Sequence, residues 1–309
     1  MAGAGRRWCG ESMTQTVTQR GLSGTGRDVV GRLVLGAWDA FIACAQHVDL
    51  DRPSRLPGWR AQEVCVHLGV WHDYAALDGL VASARAGGGT APDVDAANAR
   101  VTAAHRAAGR GEVLAALERH RDAVRAYLES APAELDRAPT AAPVGRLPLL
   151  TTILGEAYGL AVHALDRRDA GVGEPPPALL DAGLAALADV TGALAAAHDV
   201  HGSAALVTPE GGWRFEAHGD GWQVERVNPR ADVDGPVVRG TASVLLDASA
   251  GRANPVGLLA RRKLVLADAP GLLALAPLVD AAPNLPGGPL LRVAARTLSG
   301  AAGLLTRRR

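Results

Sequence analysis

Aromatic residues make up only 4% of this 309-residue sequence, and lysine is almost missing, occurring at Lys263 alone among 32 basic residues. So few rings exclude a core built on stacked aromatics and leave packing to Ala, Leu and Val within an apolar fraction of 48%. Side chains that small suit closely packed helices. The heavy use of Ala, Gly, Arg and Asp beside a single lysine also points to a genome of high GC content, of the actinobacterial kind. An excess of charge is missing too: 32 basic and 32 acidic residues leave a formal net charge of zero. No global field then draws the chain to nucleic acid or to an anionic membrane, so neither is an expected partner and recognition has to come from a local site. Cysteine is scarce. Cys9, Cys44 and Cys65 cannot pair evenly, and two of them lie in helix-like apolar runs, so a disulfide framework is not expected and a reducing cytoplasm fits. No uninterrupted apolar stretch reaches the roughly 18 to 20 residues that cross a bilayer, and the start MAGAGRRWCGES has no hydrophobic secretion core. The expected protein is soluble and cytoplasmic. Residues 1–25 are rich in Gly, Ser and Thr without an apolar period, which reads as a disordered arm, with Met13 as an alternative start.

What is present is helical periodicity. Val29, Val30, Leu33, Leu35, Trp38, Phe41, Ile42 and Ala45 recur at three-to-four spacing and predict a first amphipathic helix over 28–47. Two prolines and a glycine in the segment 51–59 break the period, which resumes as a second helix over 61–85 carrying His67 and His72. A third pattern covers 93–128, with a break near Gly109 and Gly111. Pro132, Pro139, Pro143 and Pro148 mark an irregular connection before a fourth helix over 149–169, which carries Glu156, His163 and Asp166. Four long helices joined by breaks predict a bundle over residues 26–170. The Pro- and Gly-rich segment 171–177 is the expected linker. Beyond it, a helix over 178–197 leads into short alternating segments with turn residues between them, which predicts an antiparallel meander and a small α+β domain over 178–285, followed by a tail over 286–309. The expected fold class is mixed: an N-terminal four-helix bundle followed by a small α+β domain with an antiparallel sheet.

A bundle places inward side chains of different helices round one axis, where imidazoles and carboxylates can share an ion. His67 sits in Val64-Cys-Val-His-Leu-Gly-Val-Trp71 and His163 in Gly159-Leu-Ala-Val-His-Ala-Leu-Asp166, each inside an apolar stripe. Each taken alone is read first as a core histidine bonded to a backbone carbonyl and only then as a ligand; the pair taken together is balanced between the two. The two together say more than each alone, because a buried imidazole needs a polar partner and a shared ion supplies one for both. His72, five residues beyond His67, points to another face, at the mouth of the bundle or in solvent. His105 and His120, among Arg and Glu, read as surface residues. Cys65 reads as a small core side chain.

Leu56-Pro-Gly-Trp59 followed by Glu63-Val-Cys-Val-His67-Leu68, with Leu160-Ala-Val-His163-Ala-Leu-Asp166 later, resembles the two signature segments of the mycothiol-dependent maleylpyruvate isomerase family, whose metal-binding bundle is DinB-like. The C-terminal half, in Val237-Val-Arg-Gly-Thr-Ala-Ser-Val-Leu-Leu246 and Ala267-Asp-Ala-Pro-Gly-Leu-Leu273, is similar in layout to that family's sterol-carrier-protein-like domain. The resemblance implies that His67 and His163 bind a divalent ion such as zinc, with mycothiol as the thiol cofactor. It also implies an acidic ligand one helical turn before the second histidine, where this chain has Gly159. Glu156, two turns before His163, is the expected substitute, and Asp166 either orients His163 or caps the helix end.

The resemblance implies an isomerase or thiol transferase: a thiolate adds to the cis double bond of an unsaturated diacid, the adduct rotates, and elimination returns the trans isomer. Its partners would be a small-molecule thiol and a small electrophilic or anionic substrate, with Arg239, Arg261 and Arg262 as candidate anion contacts. The reading from another class is a non-catalytic binding or regulatory module with an incomplete metal site, which Gly159 favours.

Overall fold

The computed structural model describes residues 20–90, 93–171, 173–219, 221–230, 233–282 and 287–288. The first helix is α1, Arg27–His47, whose apolar stripe Val30, Val34, Ala37, Trp38, Phe41 and Ala45 is buried. The expected second helix is two: α2, Ala61–Val66, and α3, Ala76–Arg85. Its apolar pattern does run on through 67–75, but the chain turns there to bond a neighbour, with Val70 N–H donating to Ala116 C=O at 2.9 Å. The expected third helix also divides, into α4, Val94–Ala104, and α5, Arg110–Ser130, with Gly109 as the N-cap of α5. The proline-rich connection is more regular than anticipated and holds a two-stranded antiparallel hairpin, β1, Pro139–Ala142, with β2, Gly145–Pro148. The next helix, α6, Leu149–Asp166, follows directly.

After the linker comes α7, Pro177–Ala197, started by proline at its first turn, where the missing N–H costs nothing. This helix is largely apolar and buried on every side from Ala182 to Ala195, with Asp189 and Thr191 enclosed among its apolar residues. By length and composition it could cross a membrane, yet 89% of its most apolar window is buried inside the protein. One face packs on α6 and α1, the other on the sheet. Each fully buried leucine, such as Leu179 or Leu194, contributes about 2 kcal/mol of transfer free energy. Close approach to α6 depends on Gly183, where a Cβ would lie 2.5 Å from the Ala161 Cβ. The long helices that pack together are therefore α1, α5, α6 and α7, and the last of these comes from beyond the linker. Among the described residues one large hydrophobic core runs from Leu22 to Ala282, and a small second cluster of Ala205, Val207, Val227 and Val237 lies on the sheet.

The sheet has the order β5-β4-β3-β6-β7, built from β3, Gly202–Thr208, β4, Gly211–His218, β5, Gly221–Val227, β6, Val237–Arg239, and β7, Val265–Ala267. The meander β3–β4–β5 is antiparallel, as its alternation and turns predict. One pair departs from that pattern, because β6 joins β3 in parallel. The outer edge of β5 meets the N-terminal segment instead: Arg20 bridges Trp222, and Gly21 N–H donates to Trp222 C=O at 2.8 Å. Leu22 is buried, and Ser23–Thr25 form a 3-10 turn, so residues 20–25 of the expected arm are docked on the core. Residues 1–19 of the arm, with Met13, and residues 289–309 of the tail lie outside the described residues. The helices α8, Ala242–Ser249, α9, Pro255–Ala260, α10, Ala269–Leu272, and α11, Pro277–Ala281, complete the C-terminal part.

Candidate metal centre

The motif Leu56-Pro-Gly-Trp59 works through its turn. Ser54 Oγ donates to Trp59 C=O at 2.9 Å, Gly58 takes a φ of +78°, and Arg55 N–H donates to Asp166 C=O at 2.8 Å, so the loop is pinned to the end of α6. Glu63 Oε2 then accepts from Arg60 N–H at 2.9 Å and caps the start of α2. The short helix ends at His67, whose ring packs edge-to-face against Trp59 at 5.1 Å and against His163 at 4.7 Å between ring centroids. The expected pairing of His67 with His163 is thus a contact in the structure.

Each ring is held from behind. His67 Nδ1 lies 3.3 Å from Glu63 C=O, and because a carbonyl only accepts, Nδ1 carries the proton. His163 Nδ1 lies 3.1 Å from Asp166 Oδ2, and Asp166 accepts from Arg252 Nε at 3.0 Å. Burial and then the neighbouring His163 push the His67 imidazole down to about 3, so it is neutral at ordinary pH and its Nε2 holds a lone pair. Burial alone would raise the Asp166 carboxyl, but His163 and Arg252 outweigh it and hold it below the usual carboxylate range. Neither Nε2 has a hydrogen bond to a described residue; both rings bond through Nδ1. Two imidazoles with their Nδ1 atoms anchored and their Nε2 atoms free could serve as donors to a divalent ion.

The third expected ligand is not brought to this pair. Glu156 Oε2 accepts from Trp38 Nε1 at 2.9 Å, and Oε1 lies 3.3 Å from His120 Nε2. His120, expected at the surface, is 5% exposed and stacks on Trp38 at 4.7 Å. Its position completes the buried stripe Val113, Ala116, Leu117, His120, Val124 and Tyr127 of α5, a signal masked in the sequence by the charged neighbours Arg119 and Arg121. At Gly159, one turn before His163, a Cβ would meet nothing within 4 Å. The space for a side chain is there, and the side chain is not.

Arg167 is a residue that sequence reasoning missed. Only 1% exposed, it sits 3.9 Å from the centroid of Phe41, donates from Nε to His163 C=O at 3.3 Å and lies 3.1 Å from Cys65 Sγ. It backs the α6 end that holds His163. Cys65 is a buried free thiol, as expected, and so is Cys44. The candidate anion contacts are elsewhere: Arg239 and Arg262 line a cleft of about 650 Å³ with Arg230 and Lys263, and Arg261 is exposed. Arginines at the junction of the bundle and the C-terminal part include Arg55, 2.9 Å from Asp247, Arg168, 3.9 Å from the same carboxylate, and Arg252, on Asp166. No sequence pattern ranks these above the others, because both partners of each pair are far apart in the chain.

A helical bundle with two inward imidazoles, packed through α7 on an α+β unit, is the class that this fold and site define. Residues 32–168 match the family described as the mycothiol maleylpyruvate isomerase N-terminal domain. Two solved structures are similar. A mycothiol-dependent maleylpyruvate isomerase is 16% identical, with 74% of this chain and 90% of that chain covered, at a TM-score of 0.49. A histidine-to-alanine mutant of a mycothiol-dependent maleylpyruvate isomerase is 15% identical, with 78% and 92% covered, also at 0.49. No curated protein matches the chain.

Proposed function

We propose that this protein is a divalent-metal- and mycothiol-dependent isomerase or thiol transferase of the cytoplasm, acting on a small electrophilic or anionic substrate. In this reading residues 26–170 form the metal-binding bundle and residues 178–285 a sterol-carrier-like unit. The observation that carries it is the meeting of His67 and His163, with both Nδ1 atoms anchored and both Nε2 atoms free. These two residues would hold the ion, with zinc preferred by imidazole donors. Such an ion, when bound, lowers the pKa of a thiol so that it reacts as the thiolate.

The chain's own residues prepare the place. Glu63 C=O and Asp166 fix the ring orientations and tautomers, so no rearrangement is needed on binding. Trp59 walls one side of His67 against water. Burial keeps His67 unprotonated well below neutrality, so that a proton does not compete for its Nε2. Arg252 holds Asp166 as the carboxylate that His163 requires.

Elemental analysis of the purified chain is expected to find a stoichiometric divalent ion that a His67→Ala/His163→Ala variant has lost while retaining its helical circular dichroism. A folded, metal-free wild type would overturn this reading and leave the non-catalytic binding module, which the engagement of Glu156 by Trp38 and His120 favours. Gly159→Glu probes the same site from the other side. The open space at Gly159 admits the carboxylate, so zinc is expected to bind at least about tenfold more tightly. The helix is expected to gain up to about 1 kcal/mol from loss of the glycine. Unchanged zinc affinity in that variant would place the ion away from His163.

A further inference from the structure

We infer that His72, Asp73 and His105 form a second divalent-metal site, on the outside of the bundle, for a late first-row transition ion. It is independent of His67 and His163 and of the function proposed for them. Among the described residues, this is the group that brings three His or carboxylate ligand atoms within 4.8 Å of one another.

The spacing of the three groups suits a ligand set. Donor atoms about 2.1 Å from a common ion stand roughly 3.0 to 3.4 Å apart, whether the angles are octahedral or tetrahedral. Here His105 Nε2 lies 2.9 Å from Asp73 Oδ1, and His72 Nδ1 lies 3.8 Å from the same oxygen. The two values bracket the required spacing. His72 is 85% exposed, so its ring is free to close the longer gap by a rotation about its own side chain.

The backbone that presents these groups is tied. Trp71 and Tyr74 exchange both backbone hydrogen bonds, 2.8 Å and 3.2 Å, which leaves His72 and Asp73 as the two central residues of a tight turn. Trp71 is anchored in turn by Nε1 donating to Val66 C=O at 2.8 Å. The same indole stacks on the His105 ring at 3.9 Å between centroids and 13° between planes, so the third ligand is oriented by the residue that precedes the first. His105 caps the end of α4, its backbone N–H donating to Val101 C=O at 3.1 Å. Two rigid pieces of chain, 32 residues apart, thus meet at Asp73.

Two imidazoles and one carboxylate suit zinc, copper, nickel or cobalt in preference to calcium or magnesium, which take oxygen ligands. Three protein ligands leave at least one coordination position to water, and the exposure of His72 opens that side to solvent.

The test is calorimetric titration of chelator-treated full-length protein with zinc near pH 7.5, beside His72→Gln and Asp73→Asn variants. Both positions are exposed enough that the variants fold. Each variant is expected to lose one zinc equivalent, or to bind it at least about tenfold more weakly, than wild type. The subtraction holds whether wild type takes up one equivalent or two, so the outcome does not depend on the His67–His163 site. Copper provides a second reading: a Cu²⁺ ion beside His105 is expected to quench the stacked Trp71, and the quench is expected to vanish in His72→Gln. Titrations of the two variants that superimpose on wild type would overturn the inference.

Discussion

Asp189→Asn is expected to stabilise the protein near pH 8 by roughly 3 to 4 kcal/mol and to change little near pH 4. Asp189 sits on α7, fully buried, where Oδ1 accepts from Leu22 N–H at 2.7 Å and from Trp222 Nε1 at 3.0 Å. Its other oxygen, Oδ2, has no hydrogen-bond partner. Burial raises the carboxyl from 3.8 to about 7, against the smaller opposing effect of the two donors. The folded state therefore holds a proton that the unfolded chain has released at any pH between those values. Stability is full below the unfolded value and is lost as pH rises through the folded one. Asparagine keeps an oxygen for Leu22 and Trp222 and removes the charge. Urea midpoints measured near pH 4 and near pH 8 check this, and an Asn variant no more resistant than wild type at the higher pH would show that Asp189 is not buried as a charge.

His67 titrates over the same range with the opposite sign. Its imidazole goes from 6.5 in the unfolded chain to about 3 in the fold, through burial first and repulsion from His163 second. Here the unfolded chain takes up the proton and the fold refuses it, so stability is present above the unfolded value and is lost as pH falls from about 6.5 towards 3. The loss is on the order of a few kcal/mol for the metal-free protein. His67→Gln removes the titration and is expected to flatten the acid side of the stability profile, read from urea midpoints near pH 7.5 and near pH 4 with chelator present. A variant that weakens in acid as steeply as wild type would remove His67 as the cause.

In wild type the two groups offset each other, and each variant exposes the other. Asp189→Asn should reveal a steep loss in acid, and His67→Gln a steep loss towards alkaline pH. The residues share no partner, one bonded to Leu22 and Trp222 and the other packed on Trp59 and His163, so their effects are expected to add within about 0.5 kcal/mol in the double variant.

Periodicity made α1, α6 and α7 readable, because each keeps its apolar stripe over four or more turns. It overran at 61–85, where the pattern of a continuous helix conceals a break. A Cβ at Gly69 would lie 2.7 Å from the Ala116 Cβ, so glycine lets this segment approach α5 and exchange a helical hydrogen bond for one to Ala116. That contact spans more than 40 residues of chain and leaves no trace in local spacing. The fold class was readable for the same reason that α7 was placed: its length and the turn residues after it announce a helix and a meander. Its part in the packing of the bundle was not.

The family resemblance, not periodicity, implies that Gly159 stands where a carboxylate ligand is expected; by itself the sequence determined that His67 and His163 occupy apolar helix faces and that a helix and then short alternating segments follow the linker. These are properties of residues within a turn or two of each other, and periodic burial suffices to state them. Tertiary structure alone decided that the two histidine rings touch, that Glu156 faces Trp38 and His120 instead, and that Arg55 and Arg252 join the two halves. The physical reason is reach: a carboxylate bonds whichever donor the packing of separate helices brings within about 3 Å, and that depends on helix crossings rather than on neighbours in the chain.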